Sequence, residues 1–419
     1  MKRLLFLSTL LIVLMLLMSG LPALAQDDAV TLRLATWQWE DPGYSPFWSG
    51  TVEAFEEANP NITIEPFAFP IDQLWDRLNI EIAAGTPPDL LEVTGFNVFQ
   101  YMDQGVLAPL NECFADTDIV EKVQAQDEYA VDDEGNIYAL NLSARTLQLY
   151  VNRALFDEAG VEVPTNFDEF RAASEALTNA DEGKYGLVLT NLAHSRLHEG
   201  ILLMIAGYGG HYTTDGELNL TAPEVIQGVQ FFKDLFDAGV MPQGVADGGA
   251  QYSYFNSGDV AMTIDGAWYW AALSDQAPDV LENVEIYPIP TDSGLPTGGV
   301  NNLIGIAADS PNYAAACEYL KFIADPEWGE IWTANSRTIF PYEGSVPEDF
   351  VTENPWFEVY ANELPRAVPV AAPGLEVYHT DFVRMVNNKI VEILYDNKPV
   401  EQGMEELQQE FEEFLEDME

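Results

Sequence analysis

Between residues 30 and 93, runs that repeat every second residue alternate with runs that repeat every three or four, and this limits the chain to an α/β fold. Val30-Thr31-Leu32-Arg33-Leu34-Ala35 reads as a strand that feeds an aromatic loop, Trp37-Gln38-Trp39-Glu40. Ser45 suits an N-cap with Pro46 at the first helical position, and Trp48, Val52 and Phe55 mark the buried face of the helix that follows. Ile62-Thr63-Ile64 is a second strand, and Leu74, Trp75, Leu78 and Ile82 line a second helix closed by Gly85. Thr86-Pro87-Pro88 then turns the chain into Leu90-Leu91-Glu92-Val93. Strands joined through helices predict a mainly parallel sheet with helices on both faces.

The pattern restarts at Leu147-Gln148-Leu149-Tyr150-Val151, so a second lobe is expected, and 419 residues suit two or three domains. Thr165 with Asp168, and Thr221 with Glu224 after Pro223, read as capping boxes. Val225, Ile226, Val229, Phe232 and Phe236 form the stripe of a helix ending at Gly239. Short strands are expected at Met262–Ile264, Ile286–Ile289 and Leu303–Ile306. From Ser310-Pro311 the chain is mainly helical, and Leu407, Phe411, Phe414 and Leu415 predict that the acidic last helix packs instead of trailing as a tail.

Lys2 and Arg3 precede an apolar run from Leu4 to Met18, then Ser19, Gly20, Pro22 and Ala23-Leu24-Ala25, the pattern of a signal peptide over residues 1–25. The run is shorter than the ~20 residues a bilayer span needs, and no cysteine lies near the cleavage site to carry an acyl anchor. Formal charge is −52, and loss of Lys2 and Arg3 leaves 15 basic against 69 acidic residues, or −54. Nucleic acid and anionic lipid are excluded as partners, since both require a basic face. Cys113 and Cys317 leave two readings open, a bridge or two buried thiols.

No nucleophile elbow, phosphate-binding loop or Cys-x-x-Cys pair is present, and in so acidic a chain a pair of carboxylates carries no specificity, so no enzyme is expected. His194 and His198, four apart, would share a helical face, with Glu199 and His211 as conceivable further zinc ligands. The His-Glu-x-x-His order is missing, which favours ordinary polar roles and neither metal nor cofactor. Aromatic residues are more informative. Trp37 and Trp39 follow the first strand and Trp268, Tyr269 and Trp270 follow the strand at 260–264, where α/β sheets bind ligands. A flat indole for a sugar face, with amides and charges for its hydroxyls, makes a matched pocket. Trp48, Trp75, Trp328 and Trp332 lie in helical patterns and read as core.

Ala83-Ala84-Gly85-Thr86-Pro87-Pro88-Asp89-Leu90, Gly105-Val106-Leu107-Ala108-Pro109-Leu110, Tyr150-Val151-Asn152-Arg153-Ala154-Leu155-Phe156, Phe255–Met262 and Gly266-Ala267-Trp268, in this order, resemble the extracellular solute-binding proteins of ABC importers, in the carbohydrate group that includes the maltose-binding protein. The resemblance implies a two-lobed periplasmic-binding-protein fold of type II. One lobe takes residues 26–143 plus 299–343 and the other 144–298 plus 344–419, with crossings near 143–146, 296–300 and 340–346. It implies capture of a sugar between the lobes and delivery to membrane permease subunits by a monomer, periplasmic or extracellular, soluble or held at the membrane by its importer.

Trp268 resembles the family's sugar-stacking tryptophan. Arg145 falls where the maltose-binding protein presents an acidic contact, and Thr94 and Asn97 replace an aromatic and charged cluster, so a sugar other than maltose is expected. Tyr378, beside His379, falls in a region that supplies aromatic contacts. The candidate ligand residues are thus Trp37, Trp39, Glu40, Thr94 and Asn97 from the first lobe, and Arg145, His194, Arg196, Trp268, Tyr269 and Tyr378 from the second. The competing readings are a binder of a non-sugar solute, an extracellular glycoside hydrolase, and a metal-capturing protein built on His194 and His198.

Overall fold

The computed structural model describes residues 29–418 apart from Phe96, 124–129, Asp133, 294–301, Glu343, 365–366 and Pro369. The expected signal peptide, Gly298-Gly299 and the crossing near 296–300 lie outside the described residues. Eleven strands are described: β1 (Val30–Ala35), β2 (Ile62–Phe67), β3 (Leu90–Thr94), β4 (Ala139–Ser143), β5 (Leu147–Asn152), β6 (Tyr185–Val188), β7 (Thr213–Thr214), β8 (Glu217–Leu218), β9 (Val260–Gly266), β10 (Val284–Tyr287) and β11 (Asn302–Ile306). They form a five-stranded sheet in the order β2-β1-β3-β11-β4, a four-stranded sheet in the order β10-β5-β9-β6, and the small β7-β8 hairpin.

Neither large sheet is paired in a mainly parallel way, which corrects the expectation from sequence. β1 pairs parallel with β2 and β3, but β11 runs antiparallel to both its neighbours. In the second sheet β5 is antiparallel to β9 and β10, and only β6 and β9 are parallel. The cause is the path of the chain. β4 hands directly to β5, so the first sheet points its strand ends at the second, and the strand that comes back, β11, must run the other way. β5 is likewise the one strand that enters the second sheet from the first. Each reversed strand sits inside its sheet, and it turns the strands around it into antiparallel pairs while their carboxyl ends still face the gap between the sheets.

Buried apolar residues gather around the two sheets as separate bodies. Leu32, Phe47, Trp48, Leu140, Ile304, Tyr319, Trp332 and Phe340 belong to the first. Leu149, Phe167, Ile201, Phe232, Met262, Phe382 and Phe411 belong to the second. Trp48 and Trp332 are fully buried, as their helical spacing requires, and Leu407 and Phe411 pack the last helix onto the second body. Cys113, on the short helix Asn111–Phe114, and Cys317, on the helix Tyr313–Ile323, form a disulfide with their Cα atoms 5.7 Å apart. Between the bodies the crossing strand is pinned by Ala144, whose N–H donates to the carbonyl of Ile339 at 3.0 Å.

Several helix starts differ by one position from the sequence reading. Tyr44, not Ser45, is the N-cap of the helix Ser45–Ala58. Asn166, not Thr165, caps the helix Phe167–Ala176 by accepting from the N–H of Glu169 at 2.9 Å, while Glu169 reaches back to the N–H of Thr165 at 2.9 Å. The helix at Pro223 has Ala222 as its N-cap with no side-chain bond, so Thr221 and Glu224 form no box.

Candidate functional site

On the first body's side, β1 ends at Thr36, whose hydroxyl accepts from the N–H of Gln38 at 2.9 Å and starts the one-turn 3-10 helix Trp37–Trp39. That turn divides its aromatics. Trp39 anchors its indole N–H on the carbonyl of Leu34 and leans on Trp48, so it supports the wall. Trp37 meets the ring of Tyr44 edge-on at 5.4 Å. Glu40 is exposed. Glu92, buried in β3, accepts from Thr36, from Asn302 on β11 and from the backbone N–H of Trp37. Burial pushes its carboxyl up to about 7, against the pull of those donors and of Arg145.

Thr94 and Asn97 bond each other, with the N–H of Thr94 donating to Oδ1 of Asn97 at 2.8 Å, which shapes the turn between β3 and the helix Val98–Asp103. That helix touches the turn Glu376–Tyr378, so Tyr378 stands at the rim where the bodies meet, its ring edge-on to Phe414.

Arg145 occupies the crossing itself. Its Nε donates to the hydroxyl of Ser143 at 2.9 Å and its Nη2 to the hydroxyl of Tyr44 at 3.1 Å. The guanidinium also lies 5.8 Å from the centre of the Tyr44 ring and 5.2 Å from that of Trp268, so one cation joins aromatics of both bodies.

Trp268 follows β9 and lies flat on the backbone of Gly266, where an added Cβ would come within 1.8 Å of the indole. Its indole N–H donates to Tyr252 at 3.1 Å, Tyr252 accepts from Nη2 of Arg196 at 2.8 Å, and Nη1 of Arg196 pairs with Asp265 at 2.6 Å. Asp265 is fully buried, and burial raises its pKa while Arg196 pulls it back. Trp37, Tyr44, Arg145, Trp268, Tyr252, Arg196 and Asp265 therefore form one unbroken run of contacts from one body to the other. A Gly266→Ala substitution is expected to leave the protein folded but to tilt Trp268 off its seat, with ligand affinity falling at least tenfold in calorimetry; the backbone at Gly266 needs no special conformation, so only the clash is tested.

Two of the sequence candidates move away from this run. Tyr269 is completely buried, stacked on Tyr252 at 4.1 Å with its hydroxyl on Asn256, because the helix Trp268–Gln276 turns it into the core, behind Tyr252. His194 has extended backbone and caps the helix Ser195–Gly207 by accepting from the N–H of Arg196 at 3.2 Å. It therefore shares no helical face with His198, which is fully buried and stacked on Tyr212. Among the described residues no group of three or more His, Cys, Asp or Glu is placed to hold a metal ion.

Sequence reasoning weighed Glu199 only as a conceivable zinc ligand. It lies three residues after Arg196 on the same helix, half-buried, and its carboxyl makes no hydrogen bond or ion pair among the described residues. Its pKa rises to about 7, by burial first, with Arg196 and Arg145 opposing and Asp265 adding to the rise.

Two α/β bodies with strand ends facing a shared gap, and polar and aromatic side chains meeting across it, define a two-lobed solute trap of the type II periplasmic-binding class. The chain belongs to the bacterial extracellular solute-binding proteins, whose family model matches residues 39–330. It is 25% identical to a binding protein of Brucella abortus over 371 residues, 86% of this chain and 89% of that one. It is 26% identical to the maltotriose-binding protein of Pyrococcus abyssi over 307 residues, 70% of this chain and 63% of that one. An ABC substrate-binding protein from Listeria monocytogenes in complex with cycloalternan superposes with a TM-score of 0.81 at 21% identity, over 93% of this chain and 99% of that one.

Proposed function

We propose that this protein is the substrate-binding component of an ABC importer, which traps a sugar or oligosaccharide between its lobes and hands it to membrane permease subunits without altering it chemically. In this reading it is exported, loses residues 1–25 and acts as a monomer, one lobe taking 26–143 plus 299–343 and the other 144–298 plus 344–419. No described helix is long and apolar enough to cross a membrane. The observation that carries the reading is the run from Trp37 through Arg145 to Trp268 and Arg196, since a ligand favours closure only through contacts it makes with both lobes at once.

A hydrolase would need two free carboxyls flanking one bond. Asp265 is tied to Arg196, Glu92 is covered by three donors and Asp41 accepts from the N–H of Gly43; Glu199 is open, and Glu40 is exposed to solvent where nothing holds it as the partner of Glu199 across one bond. Calorimetry against mono- and oligosaccharides is expected to show binding that Trp268→Ala weakens by roughly 10- to 100-fold, the loss of a stacked aromatic face and its buried area. Binding of amino acids, peptides or polyamines in place of every saccharide would overturn the sugar.

A further inference from the structure

The two arginines of the cleft differ in one respect that bears on the ligand. Arg196 is neutralised by Asp265 at 2.6 Å. Arg145 has no carboxylate within ion-pair distance among the described residues; its partners are two hydroxyls and two aromatic rings, and its Nη1 is left without a hydrogen bond. In a chain of 69 acidic and 17 basic residues, Arg33, Arg171, Lys233, Lys389 and Lys398 all hold carboxylates. Arg77 and Arg337 also lie over an aromatic ring with no ion pair among the described residues, but each meets a single ring, whereas Arg145 meets one from each body at the crossing. Tyr44 and Trp268 hold Arg145 in place from both sides, so its free edge is pre-organised.

Arg145 also lies 5.2 Å from the centre of the Trp268 ring, so the guanidinium and the indole together form the surface offered to a ligand. Within electrostatic reach stands the unbonded carboxyl of Glu199.

We propose that the saccharide taken by this cleft carries a carboxylate, as a uronic acid does, with Arg145 binding one oxygen and the carboxyl of Glu199 donating its proton to the other. This rests on the sugar-binding reading and sharpens it. A carboxylate fits better than a phosphate, since one free guanidinium edge and one acid proton match a monoanion, while a dianion needs more cations. The strong negative charge of the outer surface slows the approach of such a ligand but is screened over about 8 Å at physiological salt, so the local cation decides the bound state.

Three charged groups face Glu199: Arg196 on its own helix, Asp265 at the end of β9, and Arg145 at the crossing. Its carboxyl, raised to about 7, is largely protonated at pH 6 and largely ionised at pH 8. A bound carboxylate raises it further, so binding takes up a proton and affinity falls as pH rises through 7, by roughly tenfold between pH 6 and 8.

The test is calorimetry with D-galacturonate and digalacturonate against D-galactose and galactobiose, D-glucuronate against D-glucose, and galactose 6-phosphate as the phosphate arm. At pH 6 a uronate is expected to bind at least about tenfold tighter than its neutral counterpart, the effect of one charge-assisted hydrogen bond. Arg145→Gln should erase that preference while the melting temperature holds, and Glu199→Gln should flatten the pH dependence. Equal or tighter binding of the neutral sugars, a preference that survives Arg145→Gln, or tighter binding of the phosphate would each overturn the carboxylate while leaving the sugar-binding reading intact. If no saccharide of either kind binds, both readings fall.

Discussion

Replacing Cys113 and Cys317 by alanine, or reducing their bridge, is expected to weaken the first lobe by about 4–5 kcal/mol in the chain-entropy account. The bridge spans 204 residues, and the loop it closes contains β5, β6, β9 and β10, that is, the whole four-stranded sheet. When the entire chain unfolds, closure of so long a loop is worth about 5 kcal/mol. If the second lobe stays folded, pairing of β5 with β10 holds the two exits of that lobe together. The free slack then shrinks to about 60 residues and the effect to about 4 kcal/mol.

The weak dependence on loop length makes the result robust to the order of unfolding. Both sulfurs sit in the first lobe's core, on helices packed beside β11 and Leu110, so the loss falls on that lobe alone. Hydrogen exchange with and without reductant should show amides of Leu32, Leu34, Ile304 and Ile306 deprotected on reduction and those of Leu149 and Met262 unchanged. A uniform loss across both lobes would mean that they unfold as one cooperative unit.

Which residues form strands and helices was legible from period alone, because burial of one face imposes it locally. Pairing direction was not. β5 and β11 read like any other strand, and only the path between the lobes reverses them. Helix caps slipped by one at Asn166 and Glu169 because their neighbours Thr165 and Asp168 are chemically as able to cap. The cysteines could not be paired from spacing, since a sequence separation of 204 carries no geometric information.

In the site, position after a strand singled out Trp37 and Trp268, and charge out of keeping singled out Arg145. Tyr269 lies apart from Trp268 because the helix starts at Trp268 and swings the next side chain about 100° round, into the core. Glu92 and Asp265 had a visible signal, an acid inside an otherwise apolar strand, which burial makes meaningful only when a partner is found. Glu199 had a weaker one, its place one turn beyond Arg196.

Asp265→Ala is expected to destabilise the second lobe by about 3 kcal/mol, because removing one member of a buried ion pair strands the other. Asp265 is wholly enclosed and also accepts from the N–H of Gly266 at 2.8 Å. Its loss leaves Arg196 as an unpaired cation and frees a backbone donor directly under Trp268. Arg196 retains 20% side-chain exposure, so water relieves part of the penalty and places the effect at the low end of the range for buried pairs.

Asp265→Asn separates charge from shape: its amide oxygen still accepts from the guanidinium or from Gly266, and about half of the loss should return. Removing both partners, as Arg196→Met with Asp265→Leu, should recover most of the stability, since neither desolvated charge remains. Ligand binding follows a different order. The double variant stays weak, because the hydrogen bond from Arg196 that holds Tyr252, and through it the indole N–H of Trp268, is gone. Urea titration of the wild type, Arg196→Met, Asp265→Leu and the double variant gives the stability cycle, and calorimetry on the same four gives the binding cycle. If the double variant regains stability and affinity together, the pair serves the fold only, and Trp268 is held by Gly266 and Arg145 alone.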